Sequence, residues 1–276
     1  MKKLRKNIVI VTLSIALAAS SLAGCGAAPT SNPSNNASDN TGTSSNNEAK
    51  NTTDNNIGSE TDTVQWFNAT YAILTDANGQ DYNKFGGAEP SAIMETQYKS
   101  LLDNSWGVTD RASADDTLDW ILTEGHRIGF AEDGELFAQS GLEELDEADH
   151  VDFLMQAYEY SQEDAEYVAA IYKMYKEYGN TAIDGWDYCR ALSLLSFYYM
   201  AGYYTKEEAL DKSLEIAETV QPLFGSWDEL IDSYLRGYEY WAEEDSSERR
   251  KIYEKLLAAN DNPFRVDYNI TFEKTW

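Results

Sequence analysis

Apolar positions along the chain recur with the 3.6-residue spacing of helices and rarely with the two-residue alternation of a half-buried strand. The densest run outside the N-terminus is 184–202, DGWDYCRALSLLSFYYMAG. Its side chains are apolar nearly all the way round, which predicts a helix covered by neighbours on several sides. Shorter, one-sided helices are expected around it. Trp66, Ala69/Thr70 and Ile73/Leu74 form one stripe over 65–75, followed by a turn-rich loop at 76–87. Pro90 is read as the first turn of a helix reaching Asn104, with Ile93, Met94, Tyr98, Leu101 and Leu102 inward.

Ser113, followed by Asp115 and Asp116, predicts an N-cap, and Gly125 predicts the stop of that helix. His126 and Arg127 then read as a cationic cap on its C-terminal dipole. The acidic stretch 132–149 predicts a short helix and loops, and 150–160 a helix through Phe153 and Leu154. Ser161 starts a helix that ends at Gly179, a residue suited to a left-handed terminus. Thr205-Lys-Glu-Glu208 is a capping box whose helix is ended by Pro222, and Ser226-Trp-Asp-Glu229 is a second box. In the helix after Ser226, Trp227, Tyr234 and Trp241 share a side with Leu230 and Gly237. Residues 247–259 form the last helix, and the tail 264–276 shows a short β-like alternation that the pattern leaves unplaced. The expected fold is all-α, a single irregular multi-helix bundle around the helix at 184–202.

The first residues read differently. MKKLRK, an apolar stretch from Ile8 to Ala19 and then Leu22-Ala23-Gly24-Cys25 have the proportions of an export signal, with an end that resembles the bacterial lipoprotein box. In signals of that kind cleavage leaves the cysteine first in the chain and lipidated. The organisation expected is a signal peptide over 1–24, a lipidated Cys25 with an Asn/Ser/Thr-rich tether over 25–63, and a helical domain over 64–276. Ile57 is the one large apolar residue between Pro29 and Thr63, too little to offset the entropy of ordering, so the tether is expected to be disordered. As a flexible coil it would span roughly 30–40 Å. The chain is thus expected on the extracytoplasmic side of the cell membrane, with the lipid on Cys25 as its membrane contact.

Charge narrows the partners. The formal net charge is −27, from 48 acidic and 21 basic residues, and four of the basic ones fall in the first six positions. Such a surface argues against nucleic acid and against lying flat on anionic lipid, and it suits cationic or neutral ligands. With two cysteines, one of them Cys25, no disulfide framework is available. Cys189, among Leu and Tyr, reads as a small buried hydrophobe. All seven tryptophans lie at or beyond Trp66, so the core belongs there.

Chemistry is sparse. The sequence has two histidines, no Cys/His cluster with zinc spacing, no phosphate-cradling glycine loop and no nucleophile elbow. No metal and no cofactor is expected. Asp187 and Arg190 stand one helical turn apart in apolar surroundings, so the arginine needs a partner and Asp187 is the nearest. Two functional readings follow. In one, the chain is a non-catalytic module that recognises an envelope protein, a peptide or a glycan, with Trp186, Trp227, Trp241, Arg127 and Arg190 as binding candidates. In the other, Asp187 or His126 acts as general base in a hydrolase or transferase of a cell-envelope or small-molecule substrate, with an arginine holding an anion.

Three blocks also resemble a bacterial family catalogued as domain of unknown function 1266. The first runs from Asn78-Gly79 to Gly87 and on through Ser105-Trp106-Gly107-Val108 and Asp110-Arg111. The second is Leu118-Asp-Trp120 with Gly125-His126-Arg127 and Phe130. The third is Trp186-Asp187-x-x-Arg190, then Gly202-Tyr203, Glu208-Ala209, Ser226-Trp227, Tyr234, Gly237 and Trp241. The likeness is thinnest over 132–147. It implies an all-helical fold and supplies no activity, substrate or cofactor.

Overall fold

A computed structural model describes residues 60–276. The expected signal peptide, Cys25 and the tether as far as residue 59 lie outside them. The described residues are all-α. Helices α1 (Asp62–Thr70), α2 (Ala72–Ala77), α3 (Ala92–Trp106), α4 (Arg111–Thr123) and α5 (Gly125–Ala138) come first. They are followed by α6 (His150–Tyr158), α7 (Gln162–Tyr178), α8 (Asp184–Met200), α9 (Lys206–Val220), α10 (Trp227–Ala242) and α11 (Ser247–Ala258), with short 3-10 turns between.

Helix α8 lies at the centre, against α1, α3, α4, α5, α9 and α10. From Ala191 to Tyr198 every residue is buried, as the all-round apolar pattern predicts. The two polar members of that run satisfy themselves within the helix: Ser193 Oγ donates to the Arg190 carbonyl and Ser196 Oγ to that of Ser193. Glycines set the closest approach, between α8 and α10. A Cβ on Gly185 would stand 2.7 Å from the Leu230 carbonyl oxygen, and one on Gly237 would stand 2.1 Å from Trp186 Cβ. A smaller second core, built from Phe130, Phe137, Leu154, Val168, Ile171 and their neighbours, lies under α5, α6 and α7.

Thr205 and Ser226 cap α9 and α10 as expected, each accepting the amide of the third residue on. Other boundaries differ. The helix expected over 65–75 is divided at Tyr71, where the Thr70 and Thr75 hydroxyls take the carbonyls of Phe67 and Tyr71. Ser91, not Pro90, opens α3 by accepting the Met94 amide, and Ile93 points to solvent at 71% exposure. Asp110 caps α4, while Ser113 is the third helical residue and returns the bond to the Asp110 amide. The tail alternation has no partner strand among the described residues. Phe264, Val266 and Tyr268 turn inward and Arg265, Asp267 and Asn269 outward, and side chains take the backbone bonds a strand would supply. Trp227 Nε1 donates to the Val266 carbonyl, Trp66 Nε1 to that of Tyr268, and Gln221 Nε2 to those of Tyr268 and Ile270.

Candidate functional site

The candidate residues meet where α4 turns into α5. Glu124 alone separates the helices, and Gly125 takes φ +60, a left-handed value that a side chain would strain. The joint leaves carbonyls bare at the end of α4 and amides bare at the start of α5. Arg127 serves the first set: its Nη1 donates to the Ile121 carbonyl at 2.7 Å and its Nη2 to that of Leu122. The cationic cap read from the sequence is therefore supplied by Arg127, whereas His126 turns toward α8. Asp187, reaching across from α8, serves the second set, with Oδ2 accepting the Arg127 amide at 2.9 Å. Gly125 admits it, since a Cβ there would lie 2.2 Å from that same oxygen.

Asp187 is wholly buried. Burial pushes its pKa up, but the His126 side chain and the His126 and Arg127 amides outweigh that, and the carboxyl sits below its ordinary value. Its ion-pair contacts are Arg127 Nη1 and His126 Nδ1, each at 3.4 Å. Arg190, the partner expected from the sequence, is not among them. From a shared face the short side chain reaches the α5 amides, while the long one runs out between rings. The Arg190 guanidinium lies 4.4 Å from the Trp106 ring and 4.6 Å from Trp186, with Trp241 at 5.8 Å. Its Nη1 stands 3.1 Å from His126 Nδ1. Burial lowers the Arg190 pKa to about 10; Asp187 opposes the shift and Arg249 adds to it, so the group stays charged at neutral pH.

His126 Nδ1 thus faces two demands that exclude one another. Unprotonated, it can accept from Arg190, and Asp187 Oδ1 then lacks a donor. With its proton on Nδ1, it can donate to Asp187 but then turns an N–H, and no acceptor, toward Arg190. Close by, Asp184 on the first turn of α8 is pushed up to about 6 by burial, with Arg127 opposing and Asp187 adding to the rise.

Other candidates are placed as follows. Trp186 is buried and packs on Tyr234 and Trp241 with ring centroids 5.2 and 5.6 Å apart. Trp241 is half-buried. Trp227 belongs to a different cluster, with Trp66 and Tyr268. Residues not singled out for the site in the sequence also join it. Trp106 flanks Arg190, Trp120 sets its edge on the His126 ring, and Arg249 packs 4.1 Å from the Tyr238 ring. The two tryptophans stand within the blocks of family likeness, which was the one available signal; Arg249 carried none. Surface hollows of about 440 Å³, beside Arg111, Asp119 and Lys212, and about 290 Å³, beside Glu95 and Tyr199, have none of Asp187, His126, Arg127 and Arg190 in their lining, although the first is bordered by Leu122, whose carbonyl Arg127 bonds.

The sequence profile of a family described as "Protein of unknown function (DUF1266)" matches residues 101–268, more than half of the chain. The chain belongs to that family. The matched span of this DUF1266 protein runs from within α3 to the tail residue Tyr268 and includes the whole α4–α5 joint. No curated protein and no solved structure matches the chain.

Proposed function

We propose that this DUF1266 protein is a lipid-anchored extracytoplasmic module that recognises a partner without transforming it. The observation that supports the reading is the sealing of Asp187. A general base must come within hydrogen-bond reach of a substrate proton. Asp187 has no exposed side-chain surface, and its carboxylate is held by the first amides of α5 beside the Arg127 guanidinium. In that position it fixes the angle between two helices, a role in which a buried charge sets geometry. The anchor rests on the basic N-terminus, the apolar stretch and Cys25.

In this reading Asp187→Asn lowers the melting temperature markedly. An unchanged melting temperature together with loss of a hydrolytic or transfer activity would overturn it. Cys25→Ala should move the protein from the membrane to the soluble fraction and abolish palmitate labelling. The catalytic alternative draws support from one observation: His126 keeps 22% of its side-chain surface exposed while its Nδ1 lies beside Asp187. It requires His126→Gln to abolish turnover of an envelope or small-molecule substrate in a protein that still folds.

A further inference from the structure

Around Arg190, several donors and positive charges have no acceptor in direct contact, although Asp187 acts on Arg190 from beyond contact distance and Glu244 accepts from the Tyr238 hydroxyl. Arg190 Nη1 faces His126, while its Nε and Nη2 have no acceptor among the described residues. The Trp186 indole N–H, in a side chain 4% exposed, is buried without a partner. Arg249 donates to the Tyr234 hydroxyl at 3.1 Å and has no carboxylate within ion-pair distance among the described residues. In a chain with more than twice as many acidic as basic residues, two guanidinium groups share one aromatic cluster without a direct carboxylate partner. Such an arrangement costs free energy that an anion would recover, because the buried Trp186 donor and the neighbouring like charges both call for negative oxygen.

We propose that this cluster is a binding site for an oxyanion, a carboxylate or phosphate group borne on a small molecule or on the partner's surface. The inference rests on the recognition reading above and names the chemistry recognised. Trp106 and Trp186 pack against the guanidinium of Arg190, so a ligand meets its edge, where planar N–H groups match the two oxygens of a carboxylate or phosphate. Arg249 supplies a second positive charge, held on Tyr238, whose ring packs 6.3 Å from Trp241. Solvent reaches the place, since Arg190, Arg249, Trp106, Trp241 and Tyr238 are all partly exposed. The acidic surface elsewhere repels anions at long range, so binding rests on contacts made inside the cluster.

The test is a titration of the full chain, purified in detergent, with sodium phosphate and separately with sodium succinate. Ionic strength is held constant with sodium chloride and tryptophan fluorescence is the readout. A saturable change with a dissociation constant in the millimolar range or tighter is expected for at least one anion. The stronger of the two identifies the group recognised. Arg190→Lys, which keeps the charge but loses the planar fork, should weaken binding about tenfold. Arg249→Gln should weaken it about threefold, and it decides the matter if the Arg190 variant does not fold. Lys255→Gln, whose lysine pairs with Asp76 away from the cluster, should leave binding unchanged. Absence of a saturable response to both anions, or equal binding by wild type and Arg249→Gln, overturns the site. The melting behaviour of Asp187→Asn judges the recognition reading separately, so the two can fail independently.

Discussion

Leu192, Leu194, Leu195 and Tyr198 on α8 have no exposed surface, and seven other helices contribute to the core around them. Beneath α5, α6 and α7 the second core is smaller and meets water sooner: Leu136, Met155 and Tyr178 on its helices are 42%, 38% and 46% exposed. Its deepest polar member, His150, bonds the Leu142 carbonyl through Nε2 and leaves Nδ1 buried without a partner. The two cores are joined by the Tyr240 ring of α10, packed 5.4 Å from Phe130, and by polar contacts. Asp187 and Arg127 hold α5 to α8, and the Tyr240 hydroxyl of α10 donates to Asp133 of α5 at 2.8 Å. The larger core is secured by apolar area, which tolerates local change, whereas the junction depends on a few hydrogen bonds whose loss leaves charge buried.

The largest expected effect comes from breaking that junction. Asp187→Ala takes from Arg127 its one carboxylate contact among the described residues, leaves the α5 amides unanswered and should cost about 3–5 kcal/mol by urea unfolding. Hydrogen exchange should then show amides of α5–α7 opening before those of α8; uniform opening would mean that the two cores are one cooperative unit. Next come the close-packed glycines, at about 1–3 kcal/mol each. Gly237→Ala should cost more than Gly134→Ala. The first meets Trp186 Cβ, fixed to the α8 backbone, and the second meets the Tyr175 ring, which can swing aside. The opposite order would show the small core to be the stiffer one. Thr205→Ala, which removes the cap of α9 from the large-core side, should cost about 1 kcal/mol and leave α5–α7 exchange unchanged.

The smallest effect has the opposite sign. Asp184 and Asp187 lie a turn apart on α8, yet their pKa values move apart. Asp187, lowered, contributes stability above the unfolded carboxyl value of about 4 that is lost as pH falls through its folded pKa. Asp184, raised to about 6, opposes folding once ionised, an effect that grows between about pH 4 and pH 6. Asp184→Asn should therefore raise the melting temperature slightly at pH 7.5, with the gain shrinking away toward pH 4. A fall at neutral pH would mean that Arg127 holds Asp184 in a favourable pair.

The helices were legible because their signals are local. Thr205 with Glu208 and Ser226 with its acidic first turn announce starts, and the apolar wrap of 184–202 announces a covered helix. Ser113 misled because the bond it makes is reciprocal: Ser113 and Asp110 each accept from the other's amide, and spacing alone does not say which lies outside the helix. In the tail a two-residue period marks alternating burial, and whether a strand or indole N–H groups answer its carbonyls depends on residues some 40–200 positions away. The site was half legible for the same reason. That His126, Arg127, Asp187 and Arg190 belong together could be suggested from residue type and family likeness, but their pairing could not. The partner of Asp187 is a helix end sixty residues earlier in the chain, and a helix end has no letter in the sequence.

The tail also determines how the molecule can be handled. The Glu273 amide bonds the Thr63 hydroxyl, and the Trp276 ring packs edge-on against Phe67, so the first and last described turns are stitched together. Trimming the last dozen residues would bare the indoles of Trp66 and Trp227 and strip both of their acceptors, inviting aggregation rather than a tidier fragment. A tag fused after Trp276 would emerge close to Thr61, whose hydroxyl lies 3.3 Å from that of Thr275, and would crowd the start of α1.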